Sequence, residues 1–143
     1  MFNAVIAANI LDIIIVKGYL GRQFDVLIKI SNDKFVDNPL YNKTNNISSI
    51  YVVRDQLQSA YVFESNLSYN PKLIRKYEYS KNYLCIPMER SVNWCFEVKK
   101  DYITKMKVGG ENCYQMVGIS FWNNEDGKKM KQAIGKVLGS SCP

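Results

Sequence analysis

The 143-residue chain contains no histidine. That absence removes the usual general base and excludes Ser/His and Cys/His nucleophile pairs, so any chemistry must come from carboxylates, lysine or a bound metal. It also argues against zinc, because Cys85, Cys95, Cys113 and Cys142 stand far apart with no Cys-x-x-Cys pair to make up for the missing imidazoles. Most of these cysteines have apolar or aromatic neighbours, which reads as buried free thiols of a reducing compartment rather than a disulfide framework. Long apolar runs are missing too: none approaches the roughly 18 residues that a membrane span needs. The start, MFNAVIAANILDIIIVKGY, has neither the basic segment nor the cleavage site of a secretory signal, and Asn3, Asn9 and Asp12 interrupt its apolar pattern. A soluble, cytoplasmic protein is expected, with no membrane partner. No glycine-rich phosphate loop exists, since Gly18-Tyr-Leu-Gly21 has the wrong spacing for either common pattern. There are no internal repeats and no low-complexity tract.

What is present suits one ordinary domain: 47% of the residues are hydrophobic, enough for a single core at this length. The net charge of +6 would fit a phosphate-bearing partner. The lysines of the second half, Lys99, Lys100, Lys105, Lys107, Lys128, Lys129, Lys131 and Lys136, are interleaved with Glu97, Asp101, Glu111, Glu125 and Asp126. That mixture reads as solvated faces rather than a nucleic-acid surface.

Along the chain, Leu11 to Val16 is a β-branched run without alternation, as in a parallel strand buried on both faces. Gly21 to Ile30 carries Phe24, Leu27 and Ile28 at helical spacing, and Lys34 to Asn38 is a second strand ended by Pro39. Strand, helix, strand predicts a βαβ unit with a right-handed crossover. Asn46 to Leu57 predicts a helix capped by Asn45 or Asn46, Ser59 to Glu64 the next buried strand, and Pro71 to Tyr77 a further helix. Beyond residue 81 the apolar segments 82–87, 94–98, 103–108 and 114–122, with turn signals at Lys100-Asp101 and Gly109-Gly110, predict antiparallel strands. Asn124 to Leu138 is a helix with Asn123 or Asn124 as cap, Glu125 and Asp126 at its positive end, and Met130, Ala133, Ile134, Val137 and Leu138 as its apolar stripe.

Three constellations could carry function. Asn45-Asn46 with Ser48-Ser49 sets amides and hydroxyls at a helix start, suited either to an anion or carbonyl ligand or to ordinary capping. Glu64-Ser65-Asn66 ends a strand, where a divalent cation could sit, although the amide of Asn66 brings none of the charge that holds Mg2+; a plain polar loop is the other reading. Trp94, Phe96, Tyr114, Phe121 and Trp122 could cage a quaternary ammonium by cation–π attraction, or simply form core.

Taken in order, the blocks DIIIVKGYLGRQFDVL, KFVDNPLYNKTNNISSIYVVRDQL, YVFESNLSYNPKL and YQMVGISFWNNEDGKKMKQAI resemble the nucleotidyltransferase family that includes the bacterial CTP:phosphocholine cytidylyltransferases, over residues 10 to 138. The resemblance implies an α/β, Rossmann-like, three-layer α/β/α fold with a mixed sheet of the glycosyltransferase-A-like kind, incomplete here. It implies one partial domain over 1–143, with a parallel α/β part at 10–80 and a strand-rich acceptor part with a closing helix at 81–143. By the same resemblance, Asn45, Asn46 and Ser49 are the nucleotide-side residues and Trp94, Phe121 and Trp122 the acceptor residues for a choline-like headgroup. Glu64 and Asn66 stand at the metal position, where the family has an Asp in place of Asn66. The expected partners are CTP or another NTP and a phosphocholine-like small molecule, with Mg2+ as the family's cofactor. A homo-oligomer or a complementing partner chain would complete the sheet. The family's glycine-rich segment, roughly LAAGxGxRxxP, has no counterpart in the sequence, and a second acidic ligand would fall beyond Pro143. The expectation is therefore a truncated chain, inactive by itself, with a non-catalytic ligand-binding or partner-binding module as the alternative and a basic nucleic-acid-binding domain as the less favoured one.

Overall fold

The computed structural model describes residues 2–10, 12–24, 34–65, 70–75, 78 and 80–139. The first β-branched run forms strand β1 over Ile14–Lys17, parallel to β2 over Lys34–Asp37, in register from Ile14↔Lys34 to Lys17↔Asp37. Parallel neighbours need a crossover connection. Of the predicted helix at Gly21 to Ile30, Gly21–Phe24 is a single 3-10 turn and the remainder lies outside the described residues.

A helix that the sequence reading did not predict, α1 over Phe2–Ala7, buries Ala4 and Val5 against Ile74. The next helix is as predicted: α2 runs over Ile47–Val52 and tightens into a 3-10 turn at Arg54–Gln56. The segment predicted as helix from Pro71 is a 3-10 turn over Pro71–Leu73, capped by Asn70, whose side-chain oxygen accepts from the Lys72 N–H at 3.0 Å. Residues 76 and 77 of that prediction lie outside the described residues.

Strand β3, Ala60–Phe63, corrects the sequence reading in direction. Placed in the parallel part by its position in the chain, it instead pairs antiparallel with β5, from Ala60↔Trp122 to Phe63↔Ile119. Four apolar residues can pair either way, and the direction is set by a partner that arrives some 60 positions later in the chain. Successive side chains of a strand point to opposite faces. Tyr61 and Phe63 accordingly pack on the α1 side and Val62 on the opposite side, against Leu57, Ile134 and Leu138. Helices thus lie on both faces of the β3 edge of the sheet β3-β5-β4, the three-layer α/β arrangement expected.

The four short strands predicted in the second half are two long ones, β4 over Asn82–Lys99 and β5 over Tyr102–Trp122. Lys100-Asp101 is the two-residue turn between them, both residues left-handed with φ of 48° and 64°, as hairpin twist demands. Gly109-Gly110 is not a turn but lies within β5, opposite the register shift between Ser91 and Trp94 of β4, with Gly109 at φ 71°. There the hairpin rolls back on itself, so that Cys95 pairs with Lys107 on one side and Gln115 on the other. The closing helix, α3 over Asn124–Gly139, starts at Asn123, whose side-chain oxygen accepts from the Asp126 N–H at 2.9 Å. Its buried face is narrower than predicted: Ile134 and Leu138 are buried, while Ala133 and Val137 are exposed. Lys129 pairs with Glu125 and Asp126, Lys131 with Asp55, and Lys81 with Asp126. Among the described residues no helix is long and apolar enough to cross a membrane.

Candidate functional site

Ligands of open α/β sheets collect beyond the C-terminal ends of parallel strands. Here β1 and β2 end side by side at Lys17 and Asp37, whose ammonium and carboxylate lie 3.3 Å apart. Lys17 is buried and Asp37 open to water, so the pair leaves a carboxylate rather than an ammonium on the surface. The next residue, Asn38, is only 3% exposed and spends its whole amide on the loop that follows. Its oxygen accepts from the Leu40 N–H at 2.9 Å, and its NH2 donates to Ser48 Oγ at 2.9 Å and Ser49 Oγ at 3.1 Å. A buried amide left without partners is costly, so this clamp fixes the start of α2 against the end of β2.

The predicted nucleotide-side residues therefore sit together at one edge. Asn45 is exposed and its side-chain oxygen accepts from the Ile47 N–H at 3.2 Å, which makes it the true cap. Asn46 is exposed and makes no capping bond with its side chain. Ser49 is half-buried and held by Asn38. The same edge carries two exposed rings, Tyr19 and Tyr41, with centroids 6.4 Å apart. Asn38, Tyr19 and Tyr41 were given no site role from sequence. An amide between a strand and a proline was the available signal for Asn38.

At the end of β3 the Glu64 N–H donates to the Gly118 carbonyl at 2.8 Å, and the Glu64 side chain lies directly over Gly118. A Cβ at residue 118 would stand 2.3 Å from Glu64 Cγ, so only glycine lets the carboxylate lie there. Burial, and then the negative charge of Glu64, push the Tyr83 phenol above its ordinary value and keep it a proton donor. Tyr83 also borders a cleft of about 380 Å3 lined by Tyr61, Lys72, Arg75, Asn82 and Ile119. Asn66, the other residue assigned to the metal position, lies outside the described residues. Among the described residues no three carboxylates or thiolates converge as a metal-binding group. Of the two residues assigned to the metal position, Glu64 offers one carboxylate and Asn66 a neutral amide, a donor set that brings little charge to Mg2+.

The aromatic residues assigned to the acceptor do not form one cluster. Phe121 is buried against Tyr61, ring centroids 5.0 Å apart. Trp122, the next residue, points to the opposite face and donates from Nε1 to Ser120 Oγ at 2.9 Å. Trp94 is half-exposed on the rolled tip, where it pairs with Val108, whereas Phe121 pairs with Tyr61 and Asn82 at the other end of β5. Phe96 is the aromatic residue of the tip that turns inward, meeting Tyr83 edge-on at 5.1 Å.

The arrangement has close counterparts of known activity. A choline-phosphate cytidylyltransferase of Streptococcus pneumoniae is 29% identical over 131 residues, which are 90% of this chain and 57% of that protein. The choline-phosphate cytidylyltransferase of Haemophilus influenzae is 29% identical over 121 residues, 83% of this chain and 52% of the relative. A 2-aminoethylphosphonate cytidylyltransferase of Lancefieldella rimae is 28% identical over 140 residues, 91% and 55% of the two chains. The solved structure of the CTP:phosphocholine cytidylyltransferase from Streptococcus pneumoniae superposes with a TM-score of 0.80 at 27% identity, covering 97% of this chain and 62% of that one. The chain is similar in sequence to these cytidylyltransferases and has the nucleotidyltransferase fold of the solved one. No protein-family profile matches it. The cytidylyltransferase-like chain spans about half the length of the curated relatives it matches.

Proposed function

We propose that this protein is a cytidylyl-transfer domain whose ligands are CTP and a small phosphate or phosphonate that carries an amine or quaternary ammonium. The reading is carried by the superposition with the CTP:phosphocholine cytidylyltransferase of Streptococcus pneumoniae over 97% of the chain. Relatives named for phosphocholine and for 2-aminoethylphosphonate share a small zwitterion with one anionic and one cationic end. The chain's own residues offer chemistry for both ends. Asn45 and Asn46 present exposed amides beside the Tyr19 and Tyr41 rings, suited to a nucleotide's base and sugar. Tyr83 offers a phenolic donor close enough to Glu64 to feel its charge, a carboxylate that attracts a cationic headgroup, and Trp122 offers an aromatic face further along β5.

Phosphoryl chemistry of this kind relies on positioning and charge neutralisation. The sequence holds no glycine-rich cradle for a triphosphate and has a neutral Asn66, so we infer that the 143-residue chain by itself binds its ligands without turning them over. A pyrophosphate-release assay with CTP, phosphocholine and Mg2+ tests this on the chain and on Asn66→Asp. No release is expected from either, because one carboxylate does not replace the cradle. Turnover by the single mutant would refute the inference.

A further inference from the structure

The rolled tip of the β4–β5 hairpin brings together two thiols that are 18 residues apart in the chain. Cys95 is fully buried and Cys113 is 5% exposed, with their sulfurs 2.9 Å apart. Neither belongs to the site described above. The roll that joins them is held independently: Ser91 Oγ donates to Gln115 Oε1 at 2.7 Å, Asn93 Nδ2 donates to the same oxygen at 3.3 Å, and the Asn93 N–H donates to Ser91 Oγ at 3.0 Å. Gly110 permits the close approach, since a Cβ there would stand 3.3 Å from Cys113 Cβ. Closing the gap to a covalent bond takes a movement of under about 1 Å.

We propose that Cys95 and Cys113 form a reversible disulfide that locks the rolled tip. The sequence reading expected free thiols here, and the two side chains are indeed unbonded. Their placement makes them a dithiol pair and not two separate buried residues. Cys113 is the entry point: it lines a cleft of about 330 Å3 with Met88, Glu89, Asn112 and Tyr114, and the Lys107 ammonium lies close enough to favour its thiolate. The oxidant is a small disulfide such as oxidised glutathione. The thiolate of Cys113, its proton released, attacks one sulfur of that disulfide and expels the first glutathione thiolate. Cys95, losing its proton in turn, attacks Cys113 Sγ and expels the second. Two protons and two electrons leave the protein and appear on two glutathione thiols. The hydrogen bond from Cys113 to Cys95 and their burial hold the Cys113 thiol above its ordinary value, so the exchange is slow at neutral pH. The bond closes the loop that carries Phe96, and with it the edge-on contact to Tyr83.

The test is thiol mapping of the folded chain after incubation with oxidised glutathione, with alkylation, tryptic digestion and mass spectrometry. The proposal expects a peptide joining Cys95 to Cys113, a mass loss of about 2 Da that dithiothreitol reverses, retention of the link in Cys85→Ser and its loss in Cys95→Ser and Cys113→Ser. It also expects tryptic cleavage at Lys99 to Lys107 to slow roughly tenfold in the oxidised chain. Stable glutathione adducts on either cysteine, or alkylation of both with no joined peptide, would overturn it. The mapping on the unmutated chain decides the matter even where a serine variant fails to fold.

Discussion

Helix α3 contains two glycines for which the same substitution should act with opposite sign. Gly127 is buried where the helix crosses the backbone at Leu57, and a Cβ there would stand 2.3 Å from the Leu57 carbonyl oxygen and 2.8 Å from its carbon. These are backbone atoms and cannot swing away, so the helix must retreat by roughly 1 Å, the scale of movement that overpacking forces on a core. The retreat loosens the cluster of Leu57, Ile134 and Leu138, each buried to within 6% of full coverage. Overpacking of this kind costs about 1–3 kcal/mol, and alanine's better helix propensity returns up to about 1 kcal/mol. Gly127→Ala should therefore destabilise by roughly 1–2 kcal/mol. Around Gly135, two turns later, nothing lies within 4 Å. Gly135→Ala gains the propensity alone and should stabilise by about 0.5–1 kcal/mol. Urea unfolding followed by circular dichroism reads both values as shifts of the midpoint at constant slope. A neutral or stabilising Gly127→Ala would refute the packing of α3 on Leu57.

Three further predictions concern the site and its supports. Asn38→Ala should cost about 1–3 kcal/mol, because it leaves the buried Ser48 and half-buried Ser49 hydroxyls without their donor; a urea midpoint within error of the unmutated chain would contradict the clamp. Stability should fall in acid: hydrogen bonds from Lys131 and Lys107 hold Asp55 and Glu97 below their ordinary values of 3.8 and 4.5. Burial would raise Asp126, but Lys81 and Lys129 outweigh it and its net shift is also downward. Depressed carboxylates stabilise the fold above their unfolded values and lose that contribution as pH falls through the folded ones, so the melting temperature should drop as pH is taken below about 4.5 and not rise. Trp122→Ala should weaken phosphocholine binding at least about tenfold, as loss of an aromatic face to a cation does, whereas Trp94→Ala should leave it within about twofold; equal losses in calorimetric titration would mean that the tip takes part in the pocket.

The sequence was legible where local chemistry decides the outcome. The cap at Asn123, the acidic first turn of α3, the parallel pairing of β1 and β2 and the turn at Lys100-Asp101 all follow from residues close in the chain. It was illegible where distant partners decide. The direction of β3 depends on β5, the roll of the hairpin on a register shift between Ser91 and Trp94, and the closeness of Cys95 to Cys113 on both. Helix α1 is six residues of apolar and small side chains, too short to show a helical period and stabilised by contact with Ile74. For the site, the amides and hydroxyl of the α2 start were readable as a group, while the buried Asn38 that holds them was hidden in an ordinary strand end. The acceptor aromatics misled by type alone, since adjacent strand positions such as Phe121 and Trp122 face opposite sides of the sheet.

The central claim is that this chain retains the ligand edges of a cytidylyltransferase. Isothermal titration of the folded chain with phosphocholine, and separately with CTP in the presence and absence of Mg2+, tests it most directly. The account predicts saturable binding of phosphocholine and of CTP. Heat signals indistinguishable from dilution for both ligands, from a chain that circular dichroism shows to be folded, would contradict it.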